Sequence, residues 1–126
     1  MFTTLLQVAL GGAIGASARY LTSVGAMRLM GPGFPWGTLM VNVVGSFLMG
    51  VLVVVLAHRD GGTRLAPFLM TGILGGFTTF SAFSLDAMAI YERGELALAA
   101  FYVAASVLLS LAAIVLGMYM IRGAYL

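Results

Sequence analysis

The chain has 126 residues, of which 62% are hydrophobic and only 8% charged, a balance far more apolar than that of a water-soluble domain. Its formal net charge of +2 comes from six basic residues, all arginine, set against four acids, with no basic run of the kind that binds nucleic acid. Cysteine is absent, which excludes a disulfide framework and thiolate metal chemistry.

The charged residues fence off four long uncharged stretches, each sufficient for the ~20 helical residues that cross ~30 Å of hydrocarbon. The pattern predicts an all-α integral membrane protein: residues 1–126 form a single four-helix transmembrane domain, with spans over 2–27, 36–58, 65–90 and 95–121. In the first span Gly11, Gly12, Gly15 and Ala16 form overlapping pairs of small residues, which let helix backbones approach closely where lipid gives no hydrophobic drive. The span has no basic leader and runs into Arg19 and Tyr20 rather than a small-residue cleavage site, so it is expected to remain rather than be removed as a signal peptide. Arg19 follows an uninterrupted apolar run and must snorkel, pair, or face a water-filled vestibule. In a vestibule it would raise the local anion concentration.

Gly31-Pro32-Gly33-Phe34-Pro35 is a cluster of helix breakers that separates the first two spans, and Trp36 stands where an interfacial aromatic belongs. In the second span Thr38, Asn42 and Ser46 recur at i, i+4 and i+8 and share one face. The Asn42 amide has two donors that can replace part of an anion's hydration shell; it can equally serve as an interhelical hydrogen bond. After the polar turn Arg59 to Arg64, the third span contains Gly75-Gly76-Phe77-Thr78-Thr79-Phe80-Ser81-Ala82-Phe83-Ser84. A double glycine in mid-span followed by adjacent hydroxyl residues predicts that the helix breaks and restarts there. Such breaks form ion sites, with freed carbonyls facing a cation and the positive end of the restarted helix at membrane depth; a kink re-satisfied by the hydroxyls is the alternative. Phe80 and Phe83 share a face, and aromatic edges turned to a pore would stabilise a small anion without a fixed charge, although phenylalanines at this spacing also serve simply as packing. Asp86, near the end of the span, can cap, pair with an arginine, or gate. In the fourth span Tyr102, Ser106 and Ser110 again recur at i, i+4 and i+8, as donors along an ion path or as interhelical glue.

Short turns predict antiparallel neighbours in one bundle. Arg59, Arg64 and Arg122 fall on one side and Arg28, Arg93 and Arg19 on the other, so the positive-inside rule gives almost no net preference. That balance is the expectation for a dual-topology protein whose opposed copies pair as an antiparallel homodimer; a fixed topology imposed by the cell is the alternative.

Together, the segments from Gly11 to Tyr20, Gly37 to Phe47 and Gly75 to Ser84 resemble the Fluc (CrcB) family of fluoride channels over almost the whole chain, in order and at the right length. The resemblance implies a passive, fluoride-selective export channel in the bacterial plasma (inner) membrane. It further implies an antiparallel dual-topology homodimer with two pores and a structural sodium ion at the dimer centre. Residue by residue, Gly75 and Thr78 resemble the backbone-carbonyl ligands of that sodium, Phe80 and Phe83 the pore-lining aromatic pair, and Asn42 the pore asparagine. Tyr102, Ser106 and Ser110 resemble the family's polar track, Thr38 and Ser81 its supporting hydroxyls, and Arg19 the basic residue at the vestibule. Two positions depart from the family pattern: Ala82 where a hydroxyl residue is common, and Asp86 where glutamate is.

Other classes fit less well. A small dual-topology multidrug exporter, which exchanges protons for a cationic drug, needs a membrane-embedded carboxylate, and Asp86 is the only candidate. A silent membrane scaffold would leave the three polar stripes and the broken helix as glue. An enzyme is not expected: His58 is the single histidine, at a span end, and no carboxylates are paired at metal-ligand or acid–base spacing.

Overall fold

The computed structural model describes residues 1–125; Leu126, the last residue of the predicted domain, lies outside them. Among the described residues the regular structure is entirely helical. Helix α1 spans Phe2–Met30 and α2 spans Trp36–Ala57. A short helix α3, Gly62–Ala66, runs directly into a wider π-helical stretch, Pro67–Leu74, and then into α4, Gly75–Phe77. After two extended residues the chain resumes as α5, Phe80–Glu92, and ends in α6, Leu96–Ala124.

Local chemistry sets these boundaries. The α1 helix stops at Gly31, whose φ of 78° is open to glycine and strained for other residues, with its N–H returning to the Met27 carbonyl at 2.9 Å. Gly94, at φ 84°, ends α5 in the same way. The π stretch opens at Pro67, which has no N–H to give to an upstream carbonyl.

Three helical stretches are long and apolar enough to cross a membrane: Trp36–Ala57, Gly62–Glu92 and Leu96–Ala124. The first expected span is long enough, at 29 residues, but Gln7, Arg19 and its glycines dilute its apolar character. The third expected span is interrupted as its sequence predicts, yet not at the double glycine. Gly75 and Gly76 stay helical within α4, and the break falls two residues later, at Thr78 (φ −84°, ψ 157°) and Thr79 (φ −152°, ψ 122°). Threonine is β-branched and tolerates extended backbone well. The glycine at 76 serves instead as a place of contact: a Cβ there would lie 2.8 Å from the Gly12 carbonyl oxygen of α1.

Close approach of backbones recurs through the bundle. The α1 helix lies along the π stretch, where a Cβ on Gly15 would collide with the Ile73 carbonyl. Helix α2 lies along α6 through Gly50 against the Ile114 carbonyl and Gly117 against the Phe47 carbonyl. These contacts replace hydrophobic drive with van der Waals contact. Leu39, Phe83, Ile90, Ala99 and Tyr102 form the buried apolar cluster where α2, α5 and α6 meet.

Polar tie points collect at the two ends. At one end Gln7 Nε2 donates to the Arg64 carbonyl at 3.2 Å, and the His58 and Tyr125 rings stack 4.0 Å apart. At the other, an Arg93 Nη2 donates to the Gly33 carbonyl at 3.1 Å and pairs with Glu95 at 2.6 Å. A Gly15→Val substitution is expected to force α1 away from the π stretch. The cost is about 1–3 kcal/mol of overpacking, read as a lowered melting temperature of the purified protein in detergent; Ala13→Val, on an exposed position of the same helix, should leave it unchanged.

Candidate functional site

Backbone groups released at Thr78 and Thr79 have no water to turn to in hydrocarbon, and two side chains meet them. The Asn42 amide faces the backbone of Thr79 with both ends: its Nδ2 donates to the Thr79 carbonyl at 3.0 Å and its Oδ1 accepts from the Thr79 N–H at 2.8 Å. Arg19 Nε donates to the Gly76 carbonyl at 3.0 Å. Thr79 also caps α5, its hydroxyl accepting from the Ala82 N–H at 3.2 Å. Thr78 closes the upstream half through its own N–H and hydroxyl, both donating to the Leu74 carbonyl at 3.0 Å.

These bonds leave particular carbonyls free. In a continuous helix the Thr79 N–H would serve the Gly75 carbonyl and the Ala82 N–H the Thr78 carbonyl. Here the first is turned to Asn42 and the second to the Thr79 hydroxyl. The Gly76 and Thr79 carbonyls, by contrast, are taken by Arg19 and Asn42. Gly75 and Thr78 thus offer neutral backbone oxygens, the kind of donor a hard alkali cation takes. Among the described residues no group of three His, Cys, Asp or Glu side chains offers another metal site.

A cavity of about 340 Å³ opens beside the break. Asn42 and Ser46 line it from α2, Thr78 to Phe80 and Phe83 from the break and α5, and Ser106 and Ser110 from α6, with Met49, Leu111 and Ile114 among its apolar walls. The hydroxyls of Ser106 and Ser110 are buried and have no hydrogen-bond partner among the described residues. An unpartnered buried hydroxyl costs about 1–3 kcal/mol, so the pair is chemically incomplete without an acceptor.

Aromatic rings continue the path. Phe80 and Phe83 sit 5.4 Å apart between centroids, Phe83 and Tyr102 5.3 Å, and Tyr102 meets Phe34 edge to face at 5.3 Å. Tyr102 is wholly buried, and its hydroxyl donates to Asp86 Oδ2 at 3.3 Å; the Thr38 and Ser106 hydroxyls also face the phenol. Phe83 is buried, whereas Phe80 is 77% exposed in the single chain. Of the expected site residues, Asn42, Thr78, Phe80, Phe83, Ser106 and Ser110 share the cavity wall, and Thr38 and Tyr102 extend it towards Asp86. Ser81 is exposed, its hydroxyl 3.4 Å from that of Thr79. Gly75 and Arg19 lie outside the cavity lining, Arg19 bonded to the break from the α1 side.

A family model described as "CrcB-like protein, Camphor Resistance (CrcB)" matches residues 6–118. The chain belongs to the CrcB family. A relative from Cereibacter sphaeroides is 72% identical over 123 residues, covering 98% of both chains. Relatives from a Ruegeria species and from Paracoccus denitrificans are each 60% identical, covering 98% and 97% of both chains respectively. All three carry the name "Fluoride-specific ion channel FluC". With its three long apolar helices, this CrcB-family chain is a multi-pass membrane protein.

Sequence reasoning passed over three residues of this CrcB site. Thr79 is the residue Asn42 holds, and its only signal was being the second of two adjacent threonines in a span. Gly45 lacks the Cβ that would strike the Thr78 methyl, and looked like any other small residue. Phe34 was hidden among helix breakers. Replacing Asn42 by leucine is expected to remove both Thr79 bonds and leave the part-buried Thr79 N–H unmet, at about 1–3 kcal/mol. Faster hydrogen–deuterium exchange at Thr79 to Ala82, with exchange in α6 unchanged, would register it; unchanged exchange at the break would show that Asn42 does not hold it.

Proposed function

We propose that this chain is a fluoride-selective ion channel that lets fluoride leave the bacterial cytoplasm passively and so lowers its concentration there. The observation that carries the proposal is the pair of buried, partnerless hydroxyls, Ser106 and Ser110, facing Asn42 across the cavity beside Phe80 and Phe83. Hydroxyl and amide protons are donors, and a row of donors without acceptors fits an anion. The names of the relatives supply the anion. Fluoride is small and strongly hydrated, so the wall must return several donors for the water it strips away.

The site attracts without binding tightly. The Asn42 proton not used on Thr79, the Ser106 and Ser110 hydroxyls, and the positive edges of the phenylalanine rings are partial charges. They offset dehydration without trapping the ion, as conduction requires. Tyr102, with Thr38, continues the donors towards Asp86, while Ser81 borders the start of α5. The arrangement serves transport and asks for no enzymatic step.

The working unit in this reading is an antiparallel homodimer of four-span subunits, one domain each, in the inner membrane, with two pores. The exposure of Phe80, one wall of the cavity, supports a second copy completing that wall. The arginines divided between the two ends support insertion in both orientations. At the dimer centre the free Gly75 and Thr78 carbonyls would hold a structural sodium ion, which supplies a fixed positive centre that ties the two breaks together. The chain's own residues set the geometry by keeping those oxygens clear of intrahelical donors.

The multidrug-exporter reading has no support in the site: Asp86, the one acid between the turns, accepts the Tyr102 hydroxyl, and the relatives carry a channel's name. Liposomes containing the purified protein, loaded with potassium fluoride or chloride and opened with a potassium ionophore, should release fluoride rapidly and retain chloride. Equal release of both anions, or of neither, would refute fluoride selectivity. Phe80→Ile should cut fluoride efflux roughly two- to tenfold, as expected from removing an aromatic contact of about 0.5–1.5 kcal/mol from a narrow path, while leaving the protein's size-exclusion profile unchanged. Ser110→Ala should slow efflux and, by removing an unmet buried hydroxyl, leave stability equal or higher.

A further inference from the structure

Arg19 stands apart from the cavity, on the α1 side of the break, and its Nε donates to the Gly76 carbonyl at 3.0 Å. In a continuous helix the Gly76 carbonyl would meet the Phe80 N–H, but Phe80 is the first residue of α5, and Arg19 takes up the Gly76 oxygen instead. We propose that Arg19 is a positioning residue that fixes which backbone oxygens the break offers to the central cation, a role separate from attracting anions to a vestibule.

The geometry favours this role over that of a free surface charge. The side chain is partly buried, near the middle of a 29-residue helix, and its Nε is already spent on a backbone oxygen. Gly76 sits close against α1, where a Cβ would lie 2.8 Å from the Gly12 carbonyl, so the partner carbonyl is held by packing as well. A charged donor binds a carbonyl more firmly than a neutral one. Released, the Gly76 oxygen would be an extra ligand beside Gly75, and the donor set would change.

The inference rests on the sodium reading above, and the test separates the two. In glutamine the amide nitrogen stands the same number of bonds from the backbone as arginine Nε, so Arg19→Gln keeps the donor and drops the charge. Arg19→Met keeps the length and drops both. The measurement is thermal unfolding of the purified full chain in detergent over a range of sodium concentrations, with N-methylglucamine as the replacement cation, alongside fluoride efflux. Wild-type protein should be stabilised by sodium, and Arg19→Gln should keep that dependence. Arg19→Met should need on the order of tenfold more sodium for the same stabilisation, from losing a charge-assisted hydrogen bond. If both neutral variants shift alike, or neither shifts while efflux falls in both, the charge alone matters and the proposal fails. If Arg19→Met does not fold, Arg19→Gln decides alone: loss of its sodium dependence overturns the proposal. Wild-type protein indifferent to sodium would remove the sodium reading itself.

Discussion

A backbone N–H or carbonyl that leaves its helix inside hydrocarbon must find another partner within the protein, and the rest of this structure is organised around that demand at Thr78 and Thr79. Meeting it requires donors and acceptors from neighbouring helices at the same depth. The α2 helix brings Asn42, α1 brings Arg19, and Thr79 brings its own hydroxyl. Each reaches the break only because the helices carrying it lie unusually close, which is what the glycines along α1 and α2 permit. Close packing, the interruption and the polar site are therefore one arrangement.

The division of labour between helices follows. The α1 helix and the π stretch form a rigid back against which α4 ends, while α2, α5 and α6 converge on the apolar cluster around Tyr102 and Ile90. The cavity lies among α2, α5 and α6 beside the break, where the span Gly62–Glu92 turns extended at Thr78 and Thr79. Its walls mix apolar groups with a few polar ones, and the buried Ser106 and Ser110 hydroxyls find no hydrogen-bond partner among the described residues. That isolation keeps Ser106 and Ser110 available; were they closer to other acceptors they would be ordinary interhelical links.

Much of this was legible before any coordinates. Polar residues four apart in an apolar helix must share a face, so the stripes of Thr38, Asn42 and Ser46 and of Tyr102, Ser106 and Ser110 could be read directly, as could an interruption near Gly75. What could not be read was the use to which each group is put. Asn42 offered itself as pore donor or as glue, and its amide does the second with one proton while keeping another. The glycines looked like the breaking point because glycine is flexible, yet their value here is small size, and the threonines carry the extended backbone. Arg19 looked like a surface or vestibule charge because a sequence cannot show that a carbonyl 57 positions away lies 3.0 Å from its Nε. Pair identities across long separations depend on packing, and packing leaves little periodic trace.

The Asn42 pairing also fixes a sense of polarity. An asparagine amide is nearly symmetric in shape and can usually turn over at little cost. Against Thr79 it cannot, since reversal would set N–H against N–H and oxygen against oxygen across gaps of 2.8 and 3.0 Å respectively. The oxygen is thus turned to the Thr79 N–H and one amide proton stays uncommitted, so the clip that mends the helix also fixes the direction in which Asn42 can donate.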